Sequence, residues 1–166
     1  TNGAMAFPRS PLGTVQLACD LLLYSGGRFS VGRGTQVRPH VERRYATPWT
    51  GPPGPRLREY VLCMKAMFES FQNGTKPEFK GEHYQFSLCP PFFNPGPSQY
   101  KDPEVYNGAI NAYNCRVAGQ VADGLMLHSL TSAEYVREVV KPSLEQGAQE
   151  GCRDTAAAKL SGGGFI

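Results

Sequence analysis

The sequence predicts an α/β fold built around a parallel sheet. Three observations carry that expectation. Short apolar runs of strand character recur along the chain, segments of helical periodicity separate them, and Gly or Pro punctuates most junctions. The order reads β-α-β-loop-α-excursion-β-α-β-α-β, which requires parallel strands joined by right-handed crossovers. A doubly wound sheet and part of a (β/α)-barrel both satisfy it.

Asn2 to Phe7 is a mostly apolar run stopped by Pro8, and it reads as a buried strand. Ser10-Pro11 follows, an N-cap with proline at the first helical position. Leu12, Val15, Leu17, Ala18, Leu21 and Leu22 supply the apolar stripe, and Gly26-Gly27 ends the helix. Arg28 to Gly34 is the second strand, which completes one βαβ unit. The stretch 35–55 is loop-like, holds the only tryptophan, Trp49, and has the length of a binding loop or lid. Arg56 to Asn73 is the clearest helix, with Leu57, Tyr60, Val61, Met64, Phe68 and Phe71 on one face and Asn73-Gly74 as its stop. A second excursion, 74–103, carries a small extended piece around Phe79, Tyr84 and Phe86. Val105 to Gly108 resumes the strands, Asn111 caps a helix reaching Val121, and Leu125 to His128 is the next strand. Thr131 and Glu134 spell a capping box for a helix that Pro142 should kink. Lys159-Leu160 opens a last strand.

At 166 residues the chain has the size of one domain, taken as 1–166. Seventeen basic residues against fourteen acidic ones give a net charge of +3, spread along the chain rather than gathered on one run. That distribution argues against a nucleic-acid partner. No apolar run approaches the roughly 18 residues of a membrane span, and no secretory pattern opens the sequence. Five widely spaced cysteines with no C-x-x-C pair match neither a disulfide framework nor a zinc ribbon. A cytoplasmic protein with reduced thiols, no metal and a small-molecule substrate is the expectation.

In both architectures ligands bind at the carboxyl ends of the strands. Gly32-Arg33-Gly34 follows a strand, but Val37 stands where a dinucleotide fingerprint needs its third glycine, and no helix opens there. What the glycines allow is close approach of a ring or ribityl chain, with the Thr35 hydroxyl and Gln36 amide as donors. Gly108 to Ala112 lies between a strand and a helix start, where exposed N–H groups can seat a phosphate or form an ordinary turn. His128 closes a strand on the functional side and is the candidate acid/base or ligand contact. His40 and Trp49, in the long loop, are the candidates for substrate-side contacts.

Several segments together resemble one family. They are Ala4 to Pro11, Ser25-Gly26-Gly27-Arg28-Phe29 running on to Gly32, Gly34 and Val37, Asn94 to Pro97, and Val117 to His128 with its A-G-x-x-A-D-G core. This pattern is similar to the luciferase-like monooxygenases, which include the deazaflavin-dependent oxidoreductases. The resemblance implies a (β/α)8 TIM barrel, of which this chain carries approximately strands 3 to 7. It implies FMN or the deazaflavin coenzyme F-420 as cofactor, and hydride transfer or oxygen activation as the chemistry. By the same resemblance the cofactor ring packs at Ala6 and Phe7, often against a non-prolyl cis peptide. Gly34, Thr35 and Gln36 line the cofactor, and Gly108, Ala109, Ile110, Asn111 and Ala112 seat its phosphate. Two departures stand out: Arg33 replaces a commonly apolar residue, and Ala109-Ile110-Asn111 replaces a glycine-rich loop. The strands that carry the family's usual catalytic residue are not in this sequence. A truncated, non-catalytic half-barrel that binds a partner or pairs as a homodimer is therefore the alternative expectation.

Overall fold

A computed structural model describes residues 4–154 and 158–162. In chain order the elements are β1 (Ala4–Met5), α1 (Pro11–Tyr24), β2 (Val31–Gly34), α2 (Pro53–Asn73), β3 (Phe79–Lys80), β4 (Gln85–Phe86), β5 (Val105–Gly108), α3 (Ala112–Val121), β6 (Gly124–Met126), α4 (Ala133–Tyr135), α5 (Lys141–Glu150) and β7 (Lys159–Ser161). Single wide π-turns occupy His40–Arg44 and Val136–Val140.

The main sheet has five strands in the order β1-β2-β5-β6-β7, and every neighbouring pair is parallel. A doubly wound sheet reverses its order at a switch point. This one adds each strand in chain order, so right-handed crossovers place all the helices on a single face. The result is the partial (β/α)8 barrel. The excursion supplies the separate β3–β4 antiparallel pair.

Alternation along the strands sorts their side chains. Val31 and Val105 face the helices and share a core with Val15, Leu57 and Met64, while Leu125 joins Cys115, Ala118 and Leu144. The opposite face carries Met5, Gly32, Gly34, Tyr106, Gly108, Gly124 and Met126, as the register between strands requires.

The A-G-x-x-A-D-G motif is built into this packing. A Cβ at Gly119 would lie 2.1 Å from the Leu144 carbonyl oxygen, and one at Gly147 would lie 1.9 Å from that of Arg116. Helices α3 and α5 therefore touch backbone to backbone. Gly124 makes room for the Tyr106 ring, 2.2 Å from where its Cβ would stand. Asp123 accepts hydrogen bonds from the Val105 N–H (2.9 Å), Lys65 (2.7 Å) and Arg153 (3.3 Å), joining β5, α2 and the chain after α5.

Several boundaries differ from the sequence reading. Helix α2 starts at Pro53 rather than Arg56, because Pro53 and Pro55 fall in the first turn, where no intrahelical N–H is needed. The cap after β6 is Ser132, whose hydroxyl accepts from the Tyr135 N–H at 3.1 Å; Thr131 closes a turn onto the His128 carbonyl instead. Pro142 sits in the first turn of α5, and the π-turn before it absorbs the missing donor. Strand β6 stops at Met126, so His128 lies two residues beyond it. The described backbone holds no cis peptide bond. At the position where one was expected, the Ala6 N–H bonds the Gly34 carbonyl at 3.0 Å and the Arg9 N–H closes a turn onto the Ala6 carbonyl. No helix among the described residues is long and apolar enough to cross a membrane.

Two substitutions test this packing. Gly119→Ala should cost about 1–3 kcal/mol or more, read as a lowered urea midpoint, since neither backbone can yield. Asp123→Asn should cost about 1.5–3 kcal/mol by removing charge-assisted bonds from three partners. A change within about 0.5 kcal/mol in either case would contradict the assigned roles.

Candidate functional site

The bare face of the sheet opens, at the carboxyl ends of its strands, into a cleft of about 590 Å3. Its floor is one layer of the sheet. Met5 pairs with Gly34, and Gly108 pairs with Met126, while Gly34 and Gly108 follow the paired Arg33 and Asn107 on adjacent strands. Two glycines therefore lie side by side between two methionines. A Cβ built on Gly34 meets nothing within 4 Å, and one on Gly108 meets only ordinary contacts at 3.5 Å and beyond. The floor is open because the sequence leaves it open, and neither glycine has the positive φ that would demand glycine for its backbone.

The loops after the strands form the rim. After β2 come Thr35, Gln36 and Val37, and Gln36 sits in the left-handed region at φ 59°. Its side-chain oxygen accepts from the Val37 N–H at 3.2 Å, a local bond that offsets part of that strain. After β5 come Ala109, Ile110 and Asn111. Asn111 caps α3 by accepting from the Asn114 N–H at 2.8 Å. The Ala112 and Tyr113 N–H groups at the helix start have no carbonyl one turn back to bond. After β6 come Leu127, His128 and Ser129; His128 Nδ1 accepts from the Leu130 N–H at 3.2 Å, which leaves the proton on Nε2. Among the described residues no Asp, Glu, Lys or Arg lines the cleft.

Of the residues singled out from sequence, Gly34, Thr35, Gln36, Gly108, Ala109, Ile110, Asn111 and His128 come together here. Ala112 is the first residue of α3, just behind the lining. Ala6 and Phe7 lie outside it: both are buried in the core between sheet and helices. Trp49 packs edge-on against Phe7, with centroids 5.8 Å apart, and the Arg56 guanidinium lies over the Phe7 ring, 4.4 Å from its centroid. Arg56 also donates to the Pro48 carbonyl and the Tyr84 hydroxyl, so it anchors the 35–55 loop to α2 and the hairpin. His40 is exposed at the start of its π-turn, away from the cleft lining. Met5, Met126 and Asn114 were missed by sequence reasoning, although strand alternation marks the first two and helical spacing from Asn111 marks the third.

Burial pushes the Cys63 thiol up to about 12 and those of Cys19 and Cys115 up to about 11, so none supplies a thiolate at neutral pH. No group of three His, Cys, Asp or Glu side chains able to hold a metal occurs among the described residues. A second cleft, about 470 Å3 at the amino ends of β5, β6 and β7, is lined by Lys65, Glu104, Asp123, Arg153 and Lys159. Those groups are ion-paired with one another, as suits the stability end of a barrel.

Known proteins share this architecture. An F420-dependent secondary alcohol dehydrogenase, solved in complex with an F420-acetone adduct, superposes with a TM-score of 0.72 at 20% identity, over 92% of this chain and 44% of its own. The coenzyme F420 dependent tetrahydromethanopterin reductase of Methanopyrus kandleri gives 0.72 at 20% identity, over 96% and 48%. The long-chain alkane monooxygenase LadA gives 0.77 at 14% identity, over 97% and 41%. In sequence, the uncharacterised proteins Rv1360 of Mycobacterium tuberculosis and Mb1395 of Mycobacterium bovis are each 40% identical over 161 residues, 97% of this chain and 47% of theirs. The chain thus spans about half the length of the curated relatives it matches. The sequence profile described as luciferase-like monooxygenase matches residues 1–166. With the strand order, the helix-covered outer face and the open carboxyl-end cleft, these matches show that the chain belongs to the luciferase-like monooxygenase family.

Proposed function

We propose that this chain forms the cofactor seat of a flavin- or deazaflavin-dependent oxidoreductase. The observation that carries the reading is the floor of Gly34 and Gly108 between Met5 and Met126. A flat ring needs a surface without Cβ atoms, and polarizable thioethers at its edges suit an aromatic system. Both FMN and coenzyme F-420 supply such a ring and a phosphate, and when bound either one supplies the hydride or oxygen chemistry.

The chain's own groups divide the remaining work. The Thr35 hydroxyl and the Gln36 amide provide hydrogen bonds at the edge of the floor. The N-terminus of α3, with the Ala112 and Tyr113 N–H groups and the helix dipole, receives the phosphate in a cleft whose described lining holds no lysine or arginine. His128 presents its Nε2–H as a donor to substrate or ring, while the Leu130 N–H fixes the imidazole. The 35–55 loop is held to α2 and to Phe7 through Arg56 and Trp49, and its His40, exposed outside the cleft lining, is proposed to meet the substrate from solvent.

Titration of the protein that carries this chain with F-420 and with FMN tests the reading, and binding of neither would refute it. Gly34→Val should weaken binding at least about tenfold by filling the seat, a loss of roughly 1.4 kcal/mol or more. It should leave the urea midpoint nearly unchanged, because its Cβ enters open space. Gln36→Gly should raise stability by up to about 1 kcal/mol, by relieving the left-handed backbone, while weakening binding through loss of the amide. Tighter binding by both variants would contradict the assigned floor and rim.

A further inference from the structure

Behind the cleft, between the sheet and the helices, lies a second polar feature that the cofactor reading does not use. Arg33 and Asn107 are directly paired in register on β2 and β5, and both point to the helix-facing side with Val31 and Val105. Arg33 is 2% exposed and Asn107 is fully buried. Nε and Nη1 of Arg33 and both side-chain heteroatoms of Asn107 have no hydrogen-bond partner in the structure. Their strands are about 4.8 Å apart, so the two side chains enter the same space.

Among the described residues Arg33 has no ion-paired carboxylate. Burial lowers its pKa, with the Tyr60 phenol opposing that effect and Arg9 adding to it. An arginine nevertheless stays charged in a protein. The Tyr60 hydroxyl is already committed, donating to the Ser10 carbonyl at 3.2 Å and meeting the Thr14 hydroxyl at 2.6 Å. A buried cation without a counter-charge is strongly disfavoured, as is a buried amide with neither atom satisfied.

We propose that Arg33 and Asn107 hold a small monovalent anion of halide size between β2, β5 and α2. One fixed positive charge matches one negative charge, and Arg33 Nε–H, Arg33 Nη1–H and Asn107 Nδ2–H form a donor set for it. A sulfate or phosphate would bring more charge and more acceptors than this closely packed layer can satisfy. The anion also explains why two polar residues stand opposite each other inside an apolar layer: each is costly alone, and together they form a site.

Crystals of the protein that carries this chain, grown in sodium bromide and measured at the bromine absorption edge, test the assignment. An anomalous peak between Arg33 and Asn107 is expected. Bridging water without anomalous signal there, or a direct Arg33–Asn107 hydrogen bond that closes the space, overturns it. In solution at constant ionic strength, replacing gluconate by chloride should raise Tm along a saturating curve. Arg33→Met combined with Asn107→Leu should abolish that rise, and an equal response in the double variant overturns the proposal. Should the double variant fail to fold, the bromide map and the unmodified protein's chloride curve still decide the matter. No cofactor is needed for either readout, so the result is independent of what binds in the cleft.

Discussion

Strands laid down in chain order, each parallel to the last, leave right-handed crossovers only one side of the sheet to occupy. The helices therefore gather on one face, and the apolar residues of that face find their partners there. The other face keeps its small residues uncovered. The cleft follows from this constraint, because its floor is the uncovered layer of Met5, Gly34, Gly108 and Met126 at the strand ends where the loops diverge.

The A-G-x-x-A-D-G stretch within Val117 to Gly124 serves the scaffold rather than the cleft. Gly119 lets α3 lie against α5, Gly124 admits the Tyr106 ring, and Asp123 ties β5 to α2 and to Arg153 at the opposite end of the sheet. A barrel strand must be held at its amino end if its carboxyl end is to place a loop reliably. The motif thus acts on the site at a distance, through β5 and β6, and its residues would be poor choices for catalytic substitution.

Local chemistry made much of this legible from sequence. The Ser10-Pro11 start, the left-handed Gly74 stop, the Asn111 cap and the Val105–Gly108 strand all rest on short-range rules, and all stand as read. The rim residues Gly34 to Gln36 and Gly108 to Asn111 were found because strand ends are where glycine and capping residues gather. The proline-rich start of α2 read as loop because proline marks both loops and first turns, and only packing against α1 and α3 decides between them. The pairing of Arg33 with Asn107 was invisible for a different reason. Register is set by the whole sheet, and residues 74 positions apart in sequence carry no local sign that they meet. The same holds for Met5 and Met126, whose shared layer appears only once the strand order is known.

The central claim is that the glycine floor seats a flavin-type ring, and a crystal structure of the cofactor-bound protein tests it most directly. The account predicts the ring lying over Gly34 and Gly108, edged by Met5 and Met126, with the phosphate at the start of α3. A ring bound elsewhere on the sheet, or a phosphate held away from Asn111 and Ala112, would contradict it.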